Sequence, residues 1–279
     1  MLAEEYRPPA GHPLHPYVMA IFRLRARAAP HRETILPKGD VHVLFNLGDA
    51  VHVQGDQLGP DGVRWTDTYV AGLATRPYVT RPLGDADYVG ISLHAETCAP
   101  ILRLPLHELT DAVIDGPLVL PELRALGDRL RAASDFAAQC ALLLAWLHGR
   151  LRPTTSAAAV RHACTLLRTS CTEDGVWRTA RELTVSPRHL RRLFADHVGV
   201  SPAQYARLAR FVDALHLLGA SRQCASGGAP PRRTLTEVAC TARYYDQAHF
   251  CRDFRAFAGM TPQAYRRAAV RVVGIIHST

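Results

Sequence analysis

The sequence predicts an α+β protein made of two unlike halves: a β-rich, barrel-type N-terminal domain with a helical connector, then an all-α domain of seven helices. Three observations predict it. Apolar residues alternate with a period of two up to residue 115, and from residue 121 they recur at helical spacing. One helical unit also occurs twice in the C-terminal half, 60 residues apart. At 279 residues the chain has room for two ordinary domains.

The opening stretch, MLAEEYRPPAGHPLHPYV, is acidic and proline-rich, and His12 and His15 fit an exposed arm. Val41, Val43, Phe45 and Leu47 then alternate with His42, Leu44 and Asn46, as in a half-buried strand. Gly48-Asp49 marks a turn, and VHVQG repeats the alternation from Val51. Pro60-Asp61-Gly62 is a second turn, Tyr78-Val79-Thr80 a short strand and Gly84-Asp85 a third turn; Val89, Ile91 and Leu93 alternate again. Short strands at this spacing make residues 1–120 a small barrel or sandwich, whose mouth would suit a small-molecule effector. His42, His52 and His94 lie in candidate strands, and a converging trio would hold a metal. The H-x-H pattern with a following Glu is missing, so packed or surface histidines are expected, with no metal and no cofactor.

Over residues 121–153 the period changes. Leu123, Leu126, Leu130, Phe136, Cys140, Leu143, Leu144 and Leu147 keep helical spacing, with a break at Ser134-Asp135, a good N-cap pair. Pro153-Thr154-Thr155-Ser156 reads as the linker to the helical domain, 157–270. Helices are expected over 158–168, 176–183, 186–196, 201–220, 234–242, 246–257 and 261–269, with SRQCASGGAPPRR a basic connection between the fourth and fifth.

The repeat aligns SPRHLRRLFADHVGVSPAQYAR with DQAHFCRDFRAFAGMTPQAYRR. Ser186 falls on Asp246, Leu190 on Phe250, Arg192 on Arg252, Phe194 on Phe254, Gly199 on Gly259, Ser201-Pro202 on Thr261-Pro262 and Tyr205 on Tyr265. Ser186 and Asp246 are N-caps. Leu190 with Phe194, and Phe250 with Phe254, form a buried stripe. Gly199 and Gly259 end each helix in a left-handed cap, and Ser/Thr-Pro opens the next. Ala180 and Ala239 are small where a preceding helix crosses. This leaves Arg188, Arg191 and Arg192 in one unit, and Gln247, His249 and Arg252 in the other, on a face directed away from the core. Arg pairs bidentately with guanine and Gln with adenine, so these are the expected DNA-reading residues of two recognition helices. The long helix from Ser201 would place them about 30 Å apart, near one duplex turn.

Charge agrees. Residues 1–150 carry 14 Lys+Arg against 17 Asp+Glu, whereas residues 151–279 carry 19 against 8. The basic excess lies wholly in the half that holds the repeat, a surplus suited to a polyanion.

Residues 157–270 resemble the DNA-binding domain of AraC/XylS-family transcription regulators, most specifically in ARELTVSPRHLRRLF and YYDQAHFCRDFRAFAGMTPQAYRR. The resemblance implies a tandem helix-turn-helix domain joined to an N-terminal sensing or dimerisation domain, and LPKGDVHVLFNLGD and GISLHAE are similar to the barrel-type, cupin-like domains of some of these regulators. The implied function is an effector-responsive, sequence-specific transcription regulator with double-stranded DNA, a small-molecule effector and RNA polymerase as partners. Two departures stand out: Thr184 and Arg243 occupy turn positions where the family usually has Gly, and the connection between the units is long. The apolar stripe Leu123, Leu126, Leu130 would either pair two chains or pack on its own barrel, and a homodimer is the expectation.

Other classes fare worse. A DNA-repair enzyme fused to a similar module is the alternative, but the sequence has no P-C-H-R stretch around a reactive Cys, no G-x-S-x-G, no H-E-x-x-H and no phosphate-binding Gly loop. No enzyme activity is therefore expected. The seven cysteines, Cys98, Cys140, Cys164, Cys171, Cys224, Cys240 and Cys251, form no C-x-x-C pair and are odd in number, as reduced thiols would be. With no apolar run of membrane-spanning length and no secretory signal, the chain is read as cytoplasmic, with no membrane partner.

Overall fold

The computed structural model describes residues 2–27, 33–55, 58, 61–170, 174–223 and 233–267, with the backbone alone over 220–223. Ten strands among these residues make two antiparallel sheets. Numbered in chain order, the larger runs β1 (Leu2–Tyr6), β2 (Val18–Ala26), β9 (Ala86–His94), β4 (Asp40–Asn46), β7 (Thr68–Ala71), β10 (Val113–Asp115). The smaller runs β3 (Glu33–Ile35), β8 (Tyr78–Pro82), β5 (Val51–Gln54), β6 (Val63–Trp65).

Period-two patterning explains how they stack. Val43 pairs with Val70 on one side and Ile91 on the other, so the three share a face with Val41, Phe45, Val89 and Leu93, all buried. Leu44 pairs with Tyr69 and Gly90 on the opposite face, where Leu44, Tyr69 and Tyr88 pack on Val51, Val53, Trp65 and Tyr78 of the smaller sheet. Helices therefore cover one side of the larger sheet and the smaller sheet covers the other. The two sheets share no paired strand among the described residues, so the barrel is not closed.

The proline-rich start is not a free arm. Leu2–Tyr6 pairs with β2 from Leu2↔Arg25 to Tyr6↔Ile21, and Leu14 is wholly buried, which anchors the turn between them. The His12 ring lies 5.5 Å from that of His148, and His15 Nδ1 lies 2.8 Å from the Pro8 carbonyl. Asp61-Gly62 forms a turn with Gly62 in the left-handed region, while Pro60 lies outside the described residues.

After the four-residue helices α1 (Ala99–Leu102) and α2 (Gly116–Val119), the connector forms α3 (Leu123–Ala132) and α4 (Phe136–Arg150). The break falls where Asp135 accepts the Ala138 amide at 2.8 Å. Leu123, Leu126 and Leu130 are 0%, 4% and 0% exposed. Gly127 sits over Thr68 and Phe45, and Gln139 donates to the Leu130 carbonyl at 3.1 Å. The stripe is thus spent on the chain's own sheet. Of the two roles open to it, pairing two chains or packing on its own barrel, the stripe takes the second, because packing against the β face already removes these leucines from water.

Thr154 caps α5 (Thr155–Thr169), accepting the Ala157 amide at 3.1 Å, so Thr155 and Ser156 are a first helical turn rather than linker. Six helices follow: α6 (Gly175–Glu182), α7 (Pro187–His197), α8 (Pro202–Gln223), α9 (Leu235–Thr241), α10 (Gln247–Ala258) and α11 (Pro262–Arg267). The seven helices from α5 onward match the expected order. Residues 224–232 of the connection and 268–269 of the last expected helix lie outside the described residues. One apolar core runs unbroken from the larger sheet through α3 and α4 into α5, α7, α8 and α10.

Cys98, Cys140 and Cys164 are buried free thiols; burial pushes all three up, Cys140 to about 11. Cys251 is half-buried and Cys240 exposed, and Cys171 and Cys224 lie outside the described residues.

Candidate nucleic-acid interface

Each unit is built by the same local chemistry. Ser186 accepts the His189 amide at 3.2 Å and Asp246 accepts the amide of His249, fixing the first turns of α7 and α10. Ser201 and Thr261 cap α8 and α11 alike, accepting from Gln204 and Ala264. Leu190, Phe194, Phe250 and Phe254 are wholly buried. The first unit closes on Phe194 against Tyr205, ring centroids 5.8 Å apart. The second is more aromatic: Phe211 of α8 lies 5.1 Å from both Phe254 and Phe257. Ala180 and Ala239 are buried at the crossings, where their carbonyls accept the amides of Val185 and Tyr244 at 3.0 and 2.9 Å.

Five of the six expected reading residues are exposed: Arg188, Arg191, Arg192, Gln247 and Arg252. Arg188, Arg191 and Arg252 have no hydrogen-bond or ion-pair partner among the described residues. Arg192 donates to His189 Nδ1 at 3.0 Å, and the Gln247 carbonyl oxygen accepts from Thr236 at 2.8 Å, which leaves its amide group to donate. His249 differs. Its ring meets Tyr244 edge-on at 5.3 Å, and Nε2 stands 3.6 Å from Asp253. Position 249 lies four before the buried carboxylate of Asp253, which draws the imidazole toward the protein. Sequence reasoning also passed over Arg178 and Arg181, exposed on α6, the helix that crosses the backbone in this motif. It passed over Trp177 and Tyr245 too, 63% and 93% exposed. No sequence pattern marks these; their exposure follows from which helix faces are left over once the cores are filled.

Thr184 and Arg243 take the left-handed backbone that the turn demands, with φ of 52° and 62°. The turns are therefore not reshaped; they carry the steric cost. Arg243 is also ion-paired with Asp213 of α8. Arg207 of α8 chelates Asp253 of α10, with Nη2–Oδ1 at 2.8 Å, and lies 5.6 Å from the Phe257 ring. Two ion pairs thus hold the second unit to the rod that leaves the first.

The repeated glycines do a further job. Gly199, φ 97°, carries the carbonyl that accepts from Thr110 at 2.8 Å, and a Cβ there would stand 2.6 Å from Thr110 Oγ1. Its counterpart Gly259, φ 70°, lies against Pro77. The two N-terminal loops involved are themselves joined, since Asp111 accepts from the Thr75 hydroxyl at 2.6 Å and donates its amide to Leu73. One brace from the β-rich half therefore touches the same structural position in both helical units. A small cleft of about 30 Å³ lies beside it, lined by Gly72, Arg76, Tyr78, Asp111 and Val113.

The strand histidines go separate ways. His42 Nε2 lies 2.9 Å from Asp40, whereas His52 Nε2 lies 2.7 Å from the Asp61 carbonyl in the other sheet. Among the described residues no group of three His, Cys, Asp or Glu is placed to hold a metal ion. Burial opposes the Asp40 charge, yet Lys38, His42 and the Ser92 hydroxyl hold its carboxyl well below the usual carboxylate range.

Comparison with known proteins places the two halves. Residues 179–268 match a family described as a helix-turn-helix domain, and residues 4–115 match a domain of unknown function. A protein of Haemophilus influenzae described as an uncharacterized HTH-type transcriptional regulator is 28% identical over 85 residues, 30% of this chain and 25% of that protein. The chain thus matches about a quarter of that relative's length. Among solved structures, ToxT from Vibrio cholerae superposes with a TM-score of 0.47 at 10% identity, covering 88% of this chain and 97% of that one. A DNA-binding transcriptional dual regulator from Escherichia coli K-12 is 25% identical, with a TM-score of 0.30 over 41% of this chain and 97% of that one. No helix among the described residues is long and apolar enough to cross a membrane.

Proposed function

We propose that this chain, whose C-terminal part is an AraC-type helix-turn-helix domain, is a sequence-specific transcription regulator that reads double-stranded DNA with α7 and α10. The observation that carries this reading is the pair of capped helices packed on α8, with Arg188, Arg191 and Arg192 exposed on one and Gln247 and Arg252 on the other. α8 carries both units, the first through Phe194 on Tyr205 and the second through Phe254 on Phe211, so one rod holds the two helices for neighbouring segments of major groove. Arg178 and Arg181 on α6 are placed for phosphates, which add affinity without sequence information. It acts where the genome is, in the cytoplasm, as a regulator and not an enzyme, and RNA polymerase is its partner at a promoter.

The β-rich half is the input. An effector that widened the small cleft lined by Gly72, Tyr78 and Asp111 would bear on the brace to Gly199 and Gly259, and so on the disposition of α7 relative to α10. The test is to select bound fragments from random duplex DNA with the full chain. The expected product is a two-part motif, its halves about 10 base pairs apart, that survives competitor DNA and weakens steeply with salt. Enrichment of no motif, with binding lost to competitor, would reject the proposal.

A further inference from the structure

Between the same two landmarks the second unit carries one residue more than the first. Val185 donates its amide to Ala180, and the N-cap Ser186 follows directly. Tyr244 donates its amide to Ala239 in the same way, but Tyr245 stands between it and the N-cap Asp246. Tyr244 is buried against Phe250, with ring centroids 5.2 Å apart. The surplus residue, Tyr245, is 93% exposed, more than any other large hydrophobic among the described residues.

Its surroundings give the ring a partner. Tyr245 sits at the N-terminal mouth of α10, the part of a recognition helix that meets base edges. The first unit presents three exposed guanidinium groups, whereas of the residues expected to read DNA in the second only Arg252 is an arginine. Arg252 and Arg255 lie further along α10, so at its N-terminal mouth the exposed groups besides the N-cap Asp246 are the uncharged Gln247 and the phenol ring of Tyr245. Among base edges in the major groove, the thymine C5-methyl is the one apolar feature a ring can cover.

We infer that Tyr245 is a specificity-determining residue, packing its ring on a thymine methyl in the half-site read by α10. The inference rests on the proposed function, and its test separates the two. On the operator selected with the full chain, each thymine is replaced in turn by deoxyuridine, which removes only the methyl group. The wild type is expected to lose about 3- to 10-fold in affinity at one thymine of the second half-site. Tyr245→Ala should show a similar loss on the unmodified operator and be indifferent to that replacement, while Tyr245→Phe should match the wild type. Thermal midpoints should not move, since the side chain is exposed. The inference fails if Tyr245→Ala binds like the wild type, or if the deoxyuridine penalty persists in that variant. It also fails if Tyr245→Phe is as weak as Tyr245→Ala, which would make the hydroxyl a phosphate donor instead. Absence of any selectable operator would instead remove the proposed function itself, and this inference with it.

Discussion

Thr184 and Arg243 occupy equivalent turns with φ near +52° and +62°, a conformation costing a non-glycine residue about 1 kcal/mol or more. Thr184 is β-branched and exposed, and its side chain gains only a hydrogen bond to the adjacent Leu183 carbonyl at 2.8 Å. Thr184→Gly should therefore raise stability by about 1 kcal/mol, less what glycine's freer unfolded chain takes back, read from urea denaturation. Arg243→Gly relieves the same backbone but deletes the ion pair with Asp213, so its net change should lie near zero. At the reading face, Arg192→Ala or Arg252→Ala should cost about 1–3 kcal/mol of binding and relax preference at one base position. A loss spread evenly over all sequences would make that residue a phosphate contact.

At the scale of elements, α10 is held to α8 through a carboxylate that is nearly inaccessible. Asp253 is 5% exposed and faces Arg207 and His249. Removing it leaves the half-exposed Arg207 able to turn to water, so the cost is below that of breaking a fully buried pair. Asp253→Asn should destabilise the chain by about 1–2 kcal/mol. Amide exchange should accelerate in α10 while α7, which has no such strut, keeps its protection; equal acceleration in both helices would count against a local role.

At the scale of the whole molecule, the two glycine caps make a matched experiment. Gly199→Ala meets Thr110 Oγ1 at 2.6 Å and the Leu106 carbonyl at 3.0 Å, whereas Gly259→Ala meets only Pro77 at an ordinary 3.4 Å. Both pay the left-handed backbone cost, so Gly199→Ala should be the more destabilising, and a Thr110→Ala background should narrow the gap. Equal costs would mean that the brace does not press on the first unit. Acid response is also a property of the whole fold. Burial lowers the pKa of His94, His197 and His216, so each is neutral in the folded chain at pH values where it would protonate when unfolded. Their contribution is present above the ordinary imidazole pKa of about 6.5 and is lost as the pH falls below it. Asp40, held low, adds stability that disappears only in the acid carboxylate range. Thermal midpoints should be flat near neutrality and fall as the pH drops below about 6.5; a rise there would contradict the histidine assignment.

The sequence by itself determined what depends on neighbours within a turn or two. Helix starts follow from Asp135, Ser186, Thr234 and Asp246 capping amides three residues on, and helix ends from Gly199 and Gly259. Buried stripes follow from residues four apart. The same local rules exposed the repeat and put five of the six residues expected to read DNA on outward faces. Tertiary structure decided what depends on residues far apart in the chain. Leu123, Leu126 and Leu130 look alike whether they meet a second chain or their own sheet, and only the placement of β4 and β7 settles which. His249 turned inward because Asp253 is buried beside Tyr244, and the proline-rich start became an edge strand because β2 had an open side. The brace from Thr110 to Gly199 joins positions 89 residues apart. Periodicity and capping are short-range and leave a pattern in the text of the chain. A contact across that separation leaves none, because it exists only once both surfaces have folded.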